Sequence, residues 1–296
     1  MAALVAWVPF GDLRVVGAPL GWMAGSVLRI RRAHVEGAMA RASEETSPPR
    51  PPAPQAGRGE RERVRTRAVA MYASLATGVM ELLWLAGGPR RELAEVTRFE
   101  AGSRERIEEA LRAGRGAVFA ASHTGNWELA ACALAQVVPL SVLVKRVSMG
   151  AFERFLWRLR GRYGVGLLEG EGSLRTARRE LEKRRVVAVL IDQVPPSEDH
   201  GDWVPFLGAD ALTDRAAAAL AASVGAPLVV TASRRAEDGR QVLCVLSVKC
   251  PTERGRGAWA RRATREATEE LAGFVREHPG EWLWMHRRWK GIRAAR

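Results

Sequence analysis

Of the 296 residues only three are cysteine, five histidine and two tyrosine. Cys132, Cys244 and Cys250 are odd in number, lack metal-like spacing and lie in apolar segments. A disulfide framework and a cysteine zinc site are therefore not expected, whereas a reducing, cytoplasmic setting is. Long hydrophobic runs are scarce as well. Asp12 and Arg14 interrupt the apolar start, no clear cleavage site follows, and the uncharged stretch Val15 to Leu28 contains Pro19. That stretch falls short of the roughly 18 to 20 residues needed to span a bilayer, so an interfacial helix is expected, with a buried core helix as the alternative. Arg29, Arg31 and Arg32 follow it directly, and basic residues beside an anionic surface contribute about 1 kcal/mol each.

Apolar residues and positive charge are what the chain has in quantity. At 47% hydrophobic it can bury a large core, which excludes a disordered chain. A net charge of +13, from 46 basic and 33 acidic residues, draws the surface toward an anionic partner: nucleic acid, bilayer, acidic carrier protein or phosphorylated lipid. Nucleic acid is not expected, because basic residues alternate with acids, as in Arg178-Arg179-Glu180-Leu181-Glu182-Lys183, and no binding motif is present.

Three segments follow from composition. Residues 1–42 form an apolar and basic, membrane-associating helical segment. Residues 43–60 form a flexible loop, because Pro48, Pro49, Pro51, Pro52 and Pro54 exclude a helix. Residues 61–296 form an α/β domain. It opens with a helix from about Arg61 to Ala86, ended by Gly87, Gly88 and Pro89. Short apolar runs at Ala117 to Ala121, Leu140 to Val144, Val165 to Leu168, Val186 to Ile191, Pro227 to Thr231 and Val242 to Val248 read as strands. Amphipathic stretches near Ser103 to Ala113, Trp127 to Val137, Ala151 to Tyr163, Ser173 to Arg184 and Asp214 to Val224 alternate with them. The alternation predicts a mixed, largely parallel sheet flanked by helices, with the active site at loops leaving the carboxyl ends of strands. The stretch from Gln193 to Asp214 reads as a long loop over an acyl chain or a bilayer.

One such loop carries His123-Thr124-Gly125-Asn126-Trp127-Glu128. In a continuous helix the five-residue spacing would set His123 and Glu128 about 140° apart. If the helix starts near Asn126, Glu128 in its first turn can reach back to His123 on the entering loop. A carboxylate-oriented imidazole is what a general base needs to take a proton from a hydroxyl attacking a carbonyl.

This hexapeptide resembles the histidine, four residues, acid motif of the bacterial lipid A biosynthesis acyltransferases, relatives of the glycerolipid acyltransferases. Two further segments resemble the same family in the same order: Val189-Leu190-Ile191-Asp192-Gln193 with Trp203-Val204-Pro205-Phe206-Leu207-Gly208, and Trp282-Leu283-Trp284-Met285-His286-Arg287-Arg288-Trp289-Lys290. Arg160 with Gly164 falls where the family has an arginine ahead of an aromatic-glycine pair.

The resemblance implies that His123 deprotonates an acceptor hydroxyl, that Glu128 holds the ring, and that the oxygen attacks a thioester directly. It places Asp192 and Gln193 in the substrate site. Asn126 is a candidate for steadying the oxyanion, and Arg160, Lys145 and Arg146 are candidates for phosphate contacts. The implied partners are a lipid acceptor, most directly a lipid A precursor, an acyl-carrier protein or coenzyme A thioester, and an anionic membrane surface at the cytoplasmic face of the inner membrane. No metal or organic cofactor is implied. A lysophospholipid or a mannosylated phosphoinositide is an alternative acceptor, and lipid binding without catalysis is the reading from another class. The tryptophans of the terminal segment suit either a membrane interface or the core.

Overall fold

Ala117 to Ala120 and Val186 to Val189 are buried on both faces, as continuous apolar runs are when helices cover both sides of a parallel sheet. They lie in β2 (Ala117–Ala121) and β5 (Val186–Leu190), neighbouring parallel strands with Ala121 paired to Leu190. The computed structural model describes residues 2–44, 58–144, 150–251 and 255–290. Around the central pair it adds β1 (Thr97–Phe99), β3 (Leu140–Leu143), β4 (Gly166–Leu168), β8 (Leu228–Arg235) and β9 (Gln241–Lys249) in the order β1-β9-β8-β2-β5-β3-β4. All pairings are parallel except β8 with β9. The fold is α/β, with a mostly parallel seven-stranded sheet between helices.

The helices named here are α2 (Leu13–Trp22), α3 (Arg32–Glu44), α4 (Arg58–Gly87), α5 (Ser103–Arg112), α6 (Trp127–Leu134), α7 (Ala151–Arg162), α8 (Ser173–Glu182), α9 (Ala216–Val224) and α10 (Arg256–Glu277), after a short α1 (Ala2–Val5). Part of the stretch expected as a loop between Gln193 and Asp214 is an antiparallel hairpin, β6 (Gly201–Phe206) and β7 (Ala209–Asp214). Val204, Phe206, Ala211 and Leu212 are buried in it, which supplies the apolar area a two-stranded ribbon needs to hold. The Pro-rich run lies outside the described residues, as do Lys145 and Arg146.

Helix α2 and the helical turn Met23–Val27 after it pack along α4 through Gly17, Gly21 and Gly25, where an added Cβ would overlap Thr77, Tyr72 and Ala73. The opposite side of this segment leaves Trp7, Val15, Val16, Trp22, Val27 and Leu28 exposed. Among the described residues one helix, α4, is long and apolar enough to cross a bilayer, and half of its most apolar window is buried within the molecule. Trp282, Trp284 and Trp289 are buried, so the terminal tryptophans belong to the core.

Candidate active site

His123 and Asp192 are 69 residues apart and meet because the sheet makes neighbours of β2 and β5. Each follows the carboxyl end of its strand, and Ile191 N–H donates to the Ala121 carbonyl at 2.9 Å, extending the pairing to the edge of the loops. Asp192 has no exposure and accepts three hydrogen bonds: from His123 Nδ1 at 2.8 Å, from the His123 backbone N–H at 2.8 Å and from Trp282 Nε1 at 2.8 Å. Burial alone would raise its carboxyl, but the charge of His123, its two hydrogen bonds and the nearby His286 outweigh that and hold it well below the usual carboxylate range. A carboxylate fixed on Nδ1 puts that nitrogen's proton toward Asp192 and leaves Nε2 as the basic atom. Gln193 Nε2 lies 3.3 Å from His123 Nε2, positioned to donate to it.

Glu128 takes a different partner from the one expected of it. Helix α6 does begin at Trp127 with Asn126 as its N-cap, but the Glu128 carboxylate turns to α7 and receives Arg160 Nε at 2.8 Å and Arg160 Nη2 at 2.5 Å. Burial would lower the Arg160 pKa, and the hydrogen bonds and charge of Glu128 raise it instead. Glu128 reaches the imidazole only indirectly. Trp127 Nε1 donates to Glu128 Oε1 at 3.2 Å, and the Trp127 ring stands edge-on to His123 with centroids 4.9 Å apart.

The loop itself is braced from three sides. Gly125 has φ +56°, and a side chain there would press within 2.8 Å of the Ser233 carbonyl, so glycine suits the turn on both counts. The segment after α10 runs antiparallel to the loop. Gly125 N–H donates to the Glu281 carbonyl at 2.8 Å and Leu283 N–H to the His123 carbonyl at 3.0 Å. Asn126, expected at the oxyanion, is occupied on both side-chain atoms. Its Oδ1 caps α6 by accepting from Leu129 N–H at 3.1 Å, and its Nδ2 donates to Glu81 Oε2 at 2.8 Å and to the Gly78 carbonyl at 3.2 Å. Glu81 is the buried acid of α4; burial raises its pKa, opposed by Arg235 and Asn126. Arg162 donates to the carbonyls of Ala86 and Gly88 and so caps the end of α4.

Near the imidazole an apolar cavity of about 80 Å³ runs between the sheet and helices α5 and α6. Its lining includes Ser122 and Trp127, both close to His123 in the chain, together with Phe99, Ile107, Phe119 and Leu134. Cys132 and Cys244 are pushed up to about 12 by burial, with Glu128 and Glu100 adding to the rise, so both are neutral thiols. Cys244 also lines the cavity.

The family model for the bacterial lipid A biosynthesis acyltransferases matches residues 52–291. The chain belongs to that family. It is therefore an acyltransferase, and the match spans the His123 loop, Asp192 and the terminal tryptophan segment. No curated protein matches it.

The sequence named His123, Asp192 and Gln193, and the structure brings them together. It places Asn126 and the Glu128–Arg160 pair around them as bracing. Sequence reasoning passed over Glu81 and Trp282 as site residues. An acid inside the apolar run Met80-Glu81-Leu82-Leu83 was a usable signal, since a buried charge requires partners. Trp282 carried no signal beyond its place in a family-like segment.

Proposed function

We propose that this acyltransferase moves a fatty acyl chain from an acyl-carrier protein or coenzyme A thioester to a hydroxyl of a lipid A precursor, working at the cytoplasmic face of the inner membrane. The observation that carries the reading is the His123–Asp192 pair next to an apolar cavity that Ser122 and Trp127 line. A fatty chain suits such a cavity, because each buried methylene contributes about 0.8 kcal/mol. The acceptor hydroxyl displaces Gln193 from His123 Nε2 and gives up its proton there as its oxygen attacks the thioester carbonyl. Asp192 stabilises the imidazolium. The tetrahedral intermediate then expels the thiolate, which recovers the proton from His123. Direct attack is favoured over an acyl-cysteine, because Cys132 and Cys244 are held as neutral thiols.

Docking at a membrane fits the exposed apolar face of α1 and α2 with Arg29 and Arg31 beside it. Such a face buries itself in the headgroup boundary while its cations meet anionic lipid.

The test is a mass-spectrometric transfer assay with each thioester donor and a panel of lipid acceptors, run beside His123→Ala. Transfer to a lipid A precursor, reduced about 10² to 10⁴-fold in the variant, is expected. Transfer only to a lysophospholipid or a phosphoinositide mannoside would replace the acceptor. Near-normal turnover by His123→Ala would overturn the mechanism.

A further inference from the structure

The reaction proposed above places negative charge on the former carbonyl oxygen, and many of the donors around His123 already have acceptors. The backbone N–H of His123 is held by Asp192, that of Gly125 by the Glu281 carbonyl and that of Asn126 by Gln241 Oε1 at 3.2 Å. Both Nδ2 protons of Asn126 go to Glu81 and Gly78, the Trp127 indole goes to Glu128, and the Trp282 indole goes to Asp192. The hydroxyls of Ser122 and Thr124 bond to each other at 2.9 Å. Arg160 is committed to Glu128 through two hydrogen bonds.

Among the described residues, two side chains of the terminal segment have a buried polar atom without a partner: Arg288 Nε, whose guanidinium is held by Leu212 and Thr213, and His286 Nε2. His286 comes from the terminal segment, packs its ring edge-on against His123 with centroids 4.5 Å apart, and has a ring nitrogen within 4.8 Å of both His123 and Asp192. Its Nε2 is buried and makes no hydrogen bond. A buried polar atom left open costs about 1 to 3 kcal/mol, so a fold that keeps one beside the reacting base leaves it for a ligand. His286 is also neutral near neutrality. Burial first, and then the charge of His123, push its pKa down to about 4.

We propose that His286 is a second catalytic residue, whose neutral imidazole donates a hydrogen bond from Nε2 to the thioester carbonyl and to the oxyanion it becomes. The proposal rests on the acyl-transfer reading. A neutral imidazole suits this work better than an imidazolium, because it stabilises the oxyanion without protonating it and without repelling the cationic His123 formed in the same step. No proton leaves His286. The proton taken from the acceptor hydroxyl stays on His123 until the thiolate recovers it. The backbone carbonyl of His286 accepts from His34 Nε2 at 2.9 Å, which fixes the segment that carries the ring.

The experiment compares wild type, His286→Phe and His286→Gln in the transfer assay, with kcat and KM for the thioester donor measured separately and folding verified by thermal melting. Phe keeps a ring in the space and removes the donor, whereas Gln restores an N–H. Expected is a 10² to 10³-fold fall in kcat for His286→Phe, with KM changed by less than about threefold, and recovery of at least about tenfold in His286→Gln. A kcat within about threefold of wild type in a folded His286→Phe protein overturns the assignment. So does equal loss in the two variants, which marks the ring as packing only. As a check independent of the variants, histidine ring ¹⁵N shifts of wild type are recorded with an unreactive ketone analogue of the donor. Movement at His286 Nε2 supports the hydrogen bond, and an unchanged signal with the analogue bound opposes it. Failure of wild type to transfer from any donor removes the acyl-transfer reading itself and is distinct from these outcomes.

Discussion

Asp192 and Glu128 are two buried carboxylates on either side of one loop, and their partners give them different work. Asp192 faces an imidazole, whose charge depends on a proton, and two further N–H donors that hold the carboxylate ionised. Glu128 faces a guanidinium that is always charged, in a two-point ion pair between α6 and α7. The first arrangement tunes a proton acceptor, and the second fixes helices. The lesson is that a carboxylate's role follows from what it touches: Glu128 acts on the imidazole only through the Trp127 ring, while Asp192 acts on it directly.

The largest effect that tests this contrast is on rate. Asp192→Asn keeps the shape and removes the charge, so His123 loses both its tautomer control and the stabilisation of its cation. A fall in kcat of about 10³ to 10⁴ is expected, by analogy with the orienting aspartate of serine proteases. A loss below tenfold in the transfer assay would show that Asp192 does not orient the base. Glu128→Ala should act first on stability, because it leaves Arg160 charged and mostly buried. Breaking such a pair costs about 3 to 5 kcal/mol, and Glu128→Leu combined with Arg160→Met should return most of it. Urea unfolding of wild type and the two variants measures both numbers, and a double variant as unstable as the single one breaks the assignment of Glu128 as a helix fastener.

A smaller effect lies in pH. Burial holds His286 neutral in the folded protein down to about pH 4, whereas in the unfolded chain it protonates near 6.5. The unfolded state therefore binds the extra proton between those values, and stability falls as pH drops from 6.5 to 4, by up to about 3 kcal/mol. His286→Phe should flatten that slope in chemical denaturation. Asp192 behaves differently: its stabilisation is complete above the ordinary carboxylate range and is lost only below it. A slope unchanged by His286→Phe would assign the proton uptake to another group.

Much of the site was visible in the chain. The strand before His123, the loop, the helix starting after Asn126 and the strand leading to Asp192 all have local causes: apolar runs, a glycine turn and a capping side chain. The β6 and β7 hairpin was missed because Trp203 and Phe206 sit among turn-like residues; its pairing is local, across Leu207-Gly208, but the burial of Val204, Phe206, Ala211 and Leu212 that holds it comes from the rest of the fold. The terminal tryptophans were equally suited to lipid or core. Burial of all three, with Trp282 and Trp289 against Phe206 and Trp284 against both, resolves the choice.

By itself, the sequence determined the periodicities, the turn residues and the ordered motifs, because these depend on neighbours within a few positions. The tertiary structure decided which carboxylate meets the imidazole. That choice depends on β2 and β5 lying side by side and on the direction in which the first turn of α6 points Glu128, and neither is written in a five-residue spacing. The same holds for His286. It reaches His123 only because the segment after α10 returns along the catalytic loop and pairs with its backbone.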